Sequence, residues 1–190
     1  MTSSGCLRLF IVSRSAIIQE VESMHAAGLA TMAYYCFDFR DVKKQDCHGL
    51  LSSLISQLSA ESDSCFNILS QLYSDHSRGV RSPNIASDAL KKCMTNMLSL
   101  PGQAPVYIIV DAVDECPNLL GTPSAREEVL ELIEELVNLK LPNVDLCVAS
   151  RPGDGYPASF RIIDVSEDFS SRPEGAKGGH NQVHQVCCPF

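Results

Sequence analysis

Val106-Tyr-Ile-Ile-Val-Asp111-Ala-Val-Asp114-Glu115 is a run of apolar residues that ends abruptly in three carboxylates. If the run is a buried strand, its acids stand at the rim of a sheet, where a hydrated Mg2+ can be held. Asp111 then takes the metal, and Asp114 or Glu115 polarises a water for attack on a phosphorus. The plain alternative is a strand leaving the core into a polar turn at Asp114-Glu-Cys-Pro117. A second run, Cys147-Val-Ala-Ser150-Arg151-Pro152, has a similar form. Ser150 and Arg151 at that rim suit a sensor of a γ-phosphate beside the metal; the alternative there is a strand closed by proline, with Arg151 in solvent.

Such residues work only if strands end side by side. Thr31 to Phe39, Val106 to Val110 and Val144 to Ala149 are each apolar at both parities, as strands covered on both faces are. Helical stripes lie between them. Ile17, Ile18, Val21 and Met24 form the first, with Ser15 as cap and Gly28 as stop. Leu50, Leu51, Leu54, Ile55 and Leu58 form another, opened by Asp46, and Cys65, Leu69, Leu72 and Tyr73 a shorter one. Leu90, Cys93, Met94, Met97 and Leu98 follow, capped by Ser87 or Asp88 and ended before Pro101. The best specified is Ser124-Ala-Arg-Glu127, a capping box, leading into Val129, Leu132, Ile133, Leu136 and Val137. Strands alternating with helices predict an α/β fold, a three-layer open, mostly parallel sheet with helices on both faces.

The chain has 190 residues, 15 Lys and Arg against 23 Asp and Glu, and a net charge of −8. Residues 106–150 hold nine of the acids and two of the bases, so −7 of the charge lies there. Much of that excess is the solvated face of the helix after Ser124. An acidic chain lacks the basic stripe a nucleic-acid partner requires. No apolar run approaches the ~20 residues of a membrane span, and Leu9 to Val12 is too brief for a secretory core. Nine cysteines, with no C-x-x-C, read as free thiols in a reducing compartment, and so as a cytoplasmic protein. G-x-S-x-G, HExxH and G-x-G-x-x-G runs are lacking too.

Four blocks in order, Tyr34-Tyr-Cys-Phe-Asp38-Phe, Leu50-Leu-Ser-Ser-Leu-Ile-Ser-Gln-Leu58, Tyr107-Ile-Ile-Val-Asp-Ala-Val-Asp-Glu-Cys-Pro117 and Ser150-Arg-Pro152, resemble a NACHT-type domain. More narrowly, they resemble the nephrocystin-3-like N-terminal module of the STAND class of P-loop signalling NTPases, over about residues 16–152. The resemblance implies a five-stranded P-loop core and ATP or GTP bound with Mg2+. Asp111 is then the Walker B metal ligand, Asp114 and Glu115 the catalytic acids, and Ser150 and Arg151 nucleotide contacts. It also implies nucleotide-controlled homo-oligomerisation and a parent protein with C-terminal ankyrin or WD40 repeats.

The chain departs from that pattern in two places. A P-loop needs G-x-x-x-x-G-K-[ST], whose amides cradle phosphates and whose lysine reaches the β and γ oxygens. Here only Ser13-Arg14-Ser15 joins the Leu7–Val12 run to the first helix, and the first lysine is Lys43. Residues 1–15 therefore read as a divergent segment in place of the P-loop, which predicts impaired nucleotide binding and hydrolysis. Residues 153–190, rich in Gly, Ser and Pro, read as a disordered tail apart from a short strand at Phe160 to Val165. Within the tail, His180, His184, Cys187 and Cys188 have zinc-like spacing, against which stands the disordered reading. Both ends fit a fragmentary or mis-spliced product. The competing expectation is a non-catalytic α/β remnant acting through protein contacts.

Overall fold

Among the described residues of the computed structural model every strand pairing is parallel. The structure describes residues 9–10, 14–79, 85–118, 124–150 and 184–187. The elements are β1 (Leu9–Phe10), α1 (Arg14–Ala26), β2 (Thr31–Cys36), α2 (Cys47–Glu61), α3 (Asp63–Gly79), α4 (Ser87–Leu98), β3 (Val106–Asp111), α5 (Ala125–Asn138), β4 (Val144–Ser150) and β5 (His184–Cys187). Single 3-10 turns occur at Val42–Lys44 and Val113–Glu115. The sheet runs β1-β4-β3-β2, with β5 also paired to β4. The open parallel α/β sheet read from the sequence is therefore present, and β3 lies at its centre.

Side-chain parity assigns the two faces. Val106, Ile108 and Val110 of β3 point toward α2, α3, α4 and α5 and join them in one large buried cluster. Tyr107 and Ile109 point the other way, toward α1, which meets them through Ile18, Val21 and Met24. Helices thus cover both faces, but unequally.

Local chemistry explains the helix ends. Gly28, at φ 68°, closes α1: its N–H donates to His25 O (2.9 Å) and Leu29 N–H donates to Met24 O (2.9 Å), a Schellman pair that needs the left-handed residue. Asp46 caps α2 by accepting from Gly49 N–H (2.7 Å). The capping box of α5 is formed in full, Ser124 Oγ accepting from Glu127 N–H (3.2 Å) and Glu127 Oε2 from Ser124 N–H (2.8 Å).

Four expectations are corrected. Helix α1 starts at Arg14 rather than after a Ser15 cap. Ser87 is already inside α4, and Ala86 occupies the cap without a side-chain bond. Helix α3 is not short but 17 residues long. Strand β2 stops at Cys36, since Phe37 N–H makes a last bond to Asp111 O (3.0 Å) and the chain then turns away. Leu9–Phe10, in the run read as a first strand, pairs with Leu146 and Cys147 of β4. His184–Cys187, within the stretch read as tail, forms β5; Phe160 to Val165, His180 and Cys188 lie outside the described residues.

The free edge of β2 is guarded. Thr31 N–H bonds to Pro105 O (2.8 Å) and Phe37 N–H to Asp111 O, so odd residues turn their amides to β3 and Tyr34 turns its own outward. Gln57 of α2 satisfies both groups: Oε1 accepts from Tyr34 N–H (2.9 Å) and Nε2 donates to Tyr34 O (2.8 Å). The side-chain amide thus stands where another strand would dock. Gln57→Leu is expected to lose about 1–3 kcal/mol of stability and to promote self-association through β2. Urea unfolding and sedimentation velocity check this, and an unchanged midpoint with a single monomeric boundary contradicts it.

Cys36, Cys47, Cys65, Cys93, Cys116 and Cys147 are free thiols, of which Cys47, Cys65, Cys93 and Cys116 are buried. Burial pushes Cys47 up to about 11 and Cys116 up to about 12. Unfolded thiols ionise near 9.0, whereas these stay protonated in the fold. Their contribution is therefore complete below that pH and is lost as pH rises toward 11 to 12, at about 1.4 kcal/mol per pH unit per thiol. Unfolding midpoints measured from pH 8 to 11 are expected to fall; Cys47→Ser should flatten the decline.

Candidate functional site

Strand β3 ends at Asp111 with its carboxylate on the α1 face of the sheet, 7% exposed. Both oxygens have protein donors: Ala112 N–H reaches Oδ1 (2.8 Å) and the Tyr34 hydroxyl reaches Oδ2 (3.2 Å). Tyr34 comes from the neighbouring β2, so two parallel strands fix this one carboxylate. The next residue, Ala112, is left-handed (φ 56°, ψ 42°), a conformation that costs a residue with a Cβ about 1–2 kcal/mol. That bend folds the chain into the Val113–Glu115 turn and carries Asp114 back toward β4.

There Ser150, buried at the last position of β4, lies with its Oγ 3.4 Å from Asp114 Oδ1, the hydroxyl donating. Glu115 reaches the other side, where its Oε2 accepts from Phe39 N–H (3.3 Å) in the loop after β2. The same loop holds Asp38, whose carboxyl is drawn down to about 2 by the two guanidinium bonds from Arg40 (2.9 and 3.0 Å). Asp111 and Ser150 therefore end adjacent parallel strands, and Asp114 and Glu115 stand in the turn just beyond β3. Arg151 lies outside the described residues.

Two residues at this end were not singled out from the sequence. Tyr34 reads in the sequence as part of an aromatic strand and of the first resemblance block, and its partner is 77 positions away. Arg126 was seen only as a spacer in the capping box; its guanidinium donates from Nε to Cys116 O (3.2 Å) and from Nη2 to Cys116 O (3.0 Å) and to Asp114 O. A signal was available for it. A cation in the first turn of a helix opposes the dipole and calls for acceptors of its own.

The donors gathered here are carboxylate and hydroxyl oxygens, which suit Mg2+ rather than zinc. Among the described residues no three His, Cys, Asp or Glu side chains are grouped so as to hold a metal by themselves. One or two carboxylates with water and phosphate oxygens completing the sphere is nonetheless the usual way Mg2+ is held, so Asp111, with Asp114 on the turn that follows it, fits that ion as one half of a site.

A central parallel strand ending in a buried acid, beside a second strand ending in a hydroxyl, defines an open α/β protein with an oxygen-rich rim. More particularly, the chain belongs to the nephrocystin 3 N-terminal family, whose model, described as Nephrocystin 3, N-terminal, matches residues 6–151. Comparisons with curated proteins and with solved structures gave no match. Among the described residues no helix is long and apolar enough to cross a membrane.

Proposed function

We propose that this chain is a STAND-class, NACHT-type nucleotide-binding signalling module whose strand ends retain the metal side of the site. The supporting observation is the buried Asp111 carboxylate at the end of the central parallel strand, clamped by Tyr34 and by its own following amide. Mg2+ with ATP or GTP would supply the positive charge that holds the phosphates. Asp111 would hold the ion; Asp114, lying against Ser150, would be the acid that accepts a proton from water. Glu115 is tied to Phe39 N–H and also holds the loop after β2 in place. Ser150 and Arg151 remain the proposed phosphate-sensing pair.

The sequence between β1 and α1 is Ile11-Val-Ser13, with no glycine-rich lysine loop. Backbone amides of such a loop supply much of phosphate binding, so affinity and hydrolysis in this chain are impaired relative to a module that has one. That same observation favours a second reading, a non-catalytic remnant that acts in the cytoplasm through protein contacts within a larger protein carrying ankyrin or WD40 repeats, or through homo-oligomers. Neither reading involves nucleic acid or membrane.

Isothermal titration of the protein with Mg·ATP and Mg·GTP decides between them. Saturable heat that vanishes in Asp111→Asn supports the nucleotide module. Absence of heat at millimolar nucleotide overturns it in favour of the contact-only reading.

A further inference from the structure

We propose that Arg126 is a positioning residue for the acid-bearing turn: it fixes the backbone of Asp114 and thereby the direction in which that carboxylate faces a metal-bound phosphate. This rests on the nucleotide reading above.

The turn cannot hold itself. Its amides are used internally, Glu115 N–H bonding to Ala112 O (2.9 Å) and Cys116 N–H to Val113 O (3.1 Å). Those bonds leave the carbonyls of Asp114 and Cys116 directed outward, and Ala112 at its base sits in an unfavourable left-handed conformation. Arg126 supplies what is missing. One guanidinium takes both outward carbonyls, touching Cys116 O twice, while Arg126 N–H bonds to Pro117 O (3.3 Å). The arginine itself is held by α5, whose first turn is locked by the Ser124–Glu127 box. The turn is therefore gripped from α5 on one side and touched by Ser150 on the other, with Asp114 between them. A lysine offers a single point charge and cannot bridge two carbonyls in a plane. Released from the fork, Ala112 can relax to right-handed geometry and swing Asp114 away from Ser150.

The probe is the Mn·ATP complex, followed by water-proton relaxation on the whole chain. Arg126→Gln and Arg126→Lys are compared with Leu136→Ala, a cavity mutant in the buried stripe of the same helix. Both Arg126 variants are expected to bind about 10–100-fold more weakly than wild type, with Leu136→Ala close to wild type despite its lower melting temperature. Amide exchange at Glu115 and Cys116 is expected to quicken in the Arg126 variants while Ile108 and Ile109 keep their protection. If wild type binds and the Arg126 variants bind equally well, the inference falls and the nucleotide reading stands. Affinity that merely tracks melting temperature across all three variants also overturns it. If wild type takes up no Mn·ATP, the nucleotide reading falls and takes this inference with it.

Discussion

Gly49→Ala is expected to destabilise the fold by about 1–3 kcal/mol, although glycine to alanine within a helix ordinarily stabilises by about 1 kcal/mol. The reversal comes from what surrounds the first turn of α2. A Cβ at this position would overlap the carbonyl oxygen of Lys43 and lie 3.0 Å from the Tyr35 hydroxyl and 3.2 Å from Asp46 Oδ1. Lys43 O belongs to backbone, so it cannot swing aside as a side-chain tip does. The Tyr35 hydroxyl is buried without a hydrogen-bond partner and Tyr35 is 5% exposed, so its ring has little room to retreat. Gly49 N–H is also the donor to Asp46, and displacing it loosens the cap of α2. Denaturant unfolding gives the answer directly: a midpoint equal to or above wild type rules out the crowding argument.

The second large effect concerns charge. Asp111→Asn is expected to keep the fold, with a melting temperature within a few degrees of wild type, and to abolish Mg·ATP heat. Asparagine preserves an oxygen to accept from Ala112 N–H, and its amide group can donate to the Tyr34 hydroxyl oxygen in place of the bond that hydroxyl now donates. The change removes the negative charge and little else. Alanine, by contrast, leaves the Ala112 amide and the Tyr34 hydroxyl without this acceptor, at about 1–3 kcal/mol for each group left unsatisfied. Loss of binding in the asparagine variant therefore reports on the metal, whereas loss in alanine alone reports on structure. Nucleotide heat retained by Asp111→Asn removes Asp111 from the metal role.

These cases also show which parts of the molecule were legible in sequence. Helix α5 announces itself because its start is encoded by two side chains three residues apart, a purely local device. The end of β3 is legible for a similar reason: an apolar run cannot continue into three acids and stay buried, so Asp111 marks the rim. Helix α3 was read too short because its second half is serine-rich and lacks an apolar stripe. The hydroxyls of Ser74 and Ser77 bond to the carbonyls four residues back (2.8 Å each), so these serines are accommodated inside the helix instead of ending it. Strand β2 was read too long because Phe37 is buried after the ladder ends, so apolarity persists where pairing does not. Tyr34 on Asp111, Gln57 on the edge of β2 and Arg126 on the turn after β3 are contacts across the fold, and spacing along the chain carries no record of them.

The unequal covering of the sheet governs how the molecule opens. Four helices share one large cluster with β2, β3 and β4, whereas α1 docks on the reverse face through a cluster whose buried members are Val21 and Ile109. The cheapest excursion from the native state is therefore the detachment of α1 alone, with the remaining layers intact. Native-state exchange should find the amides of Val21 and Glu22 opening at a lower free energy than those of Leu54 or Ile108. Tyr34 packs against that same small cluster and holds Asp111, so the release of α1 is expected to loosen the hydroxyl's grip on the buried acid as well.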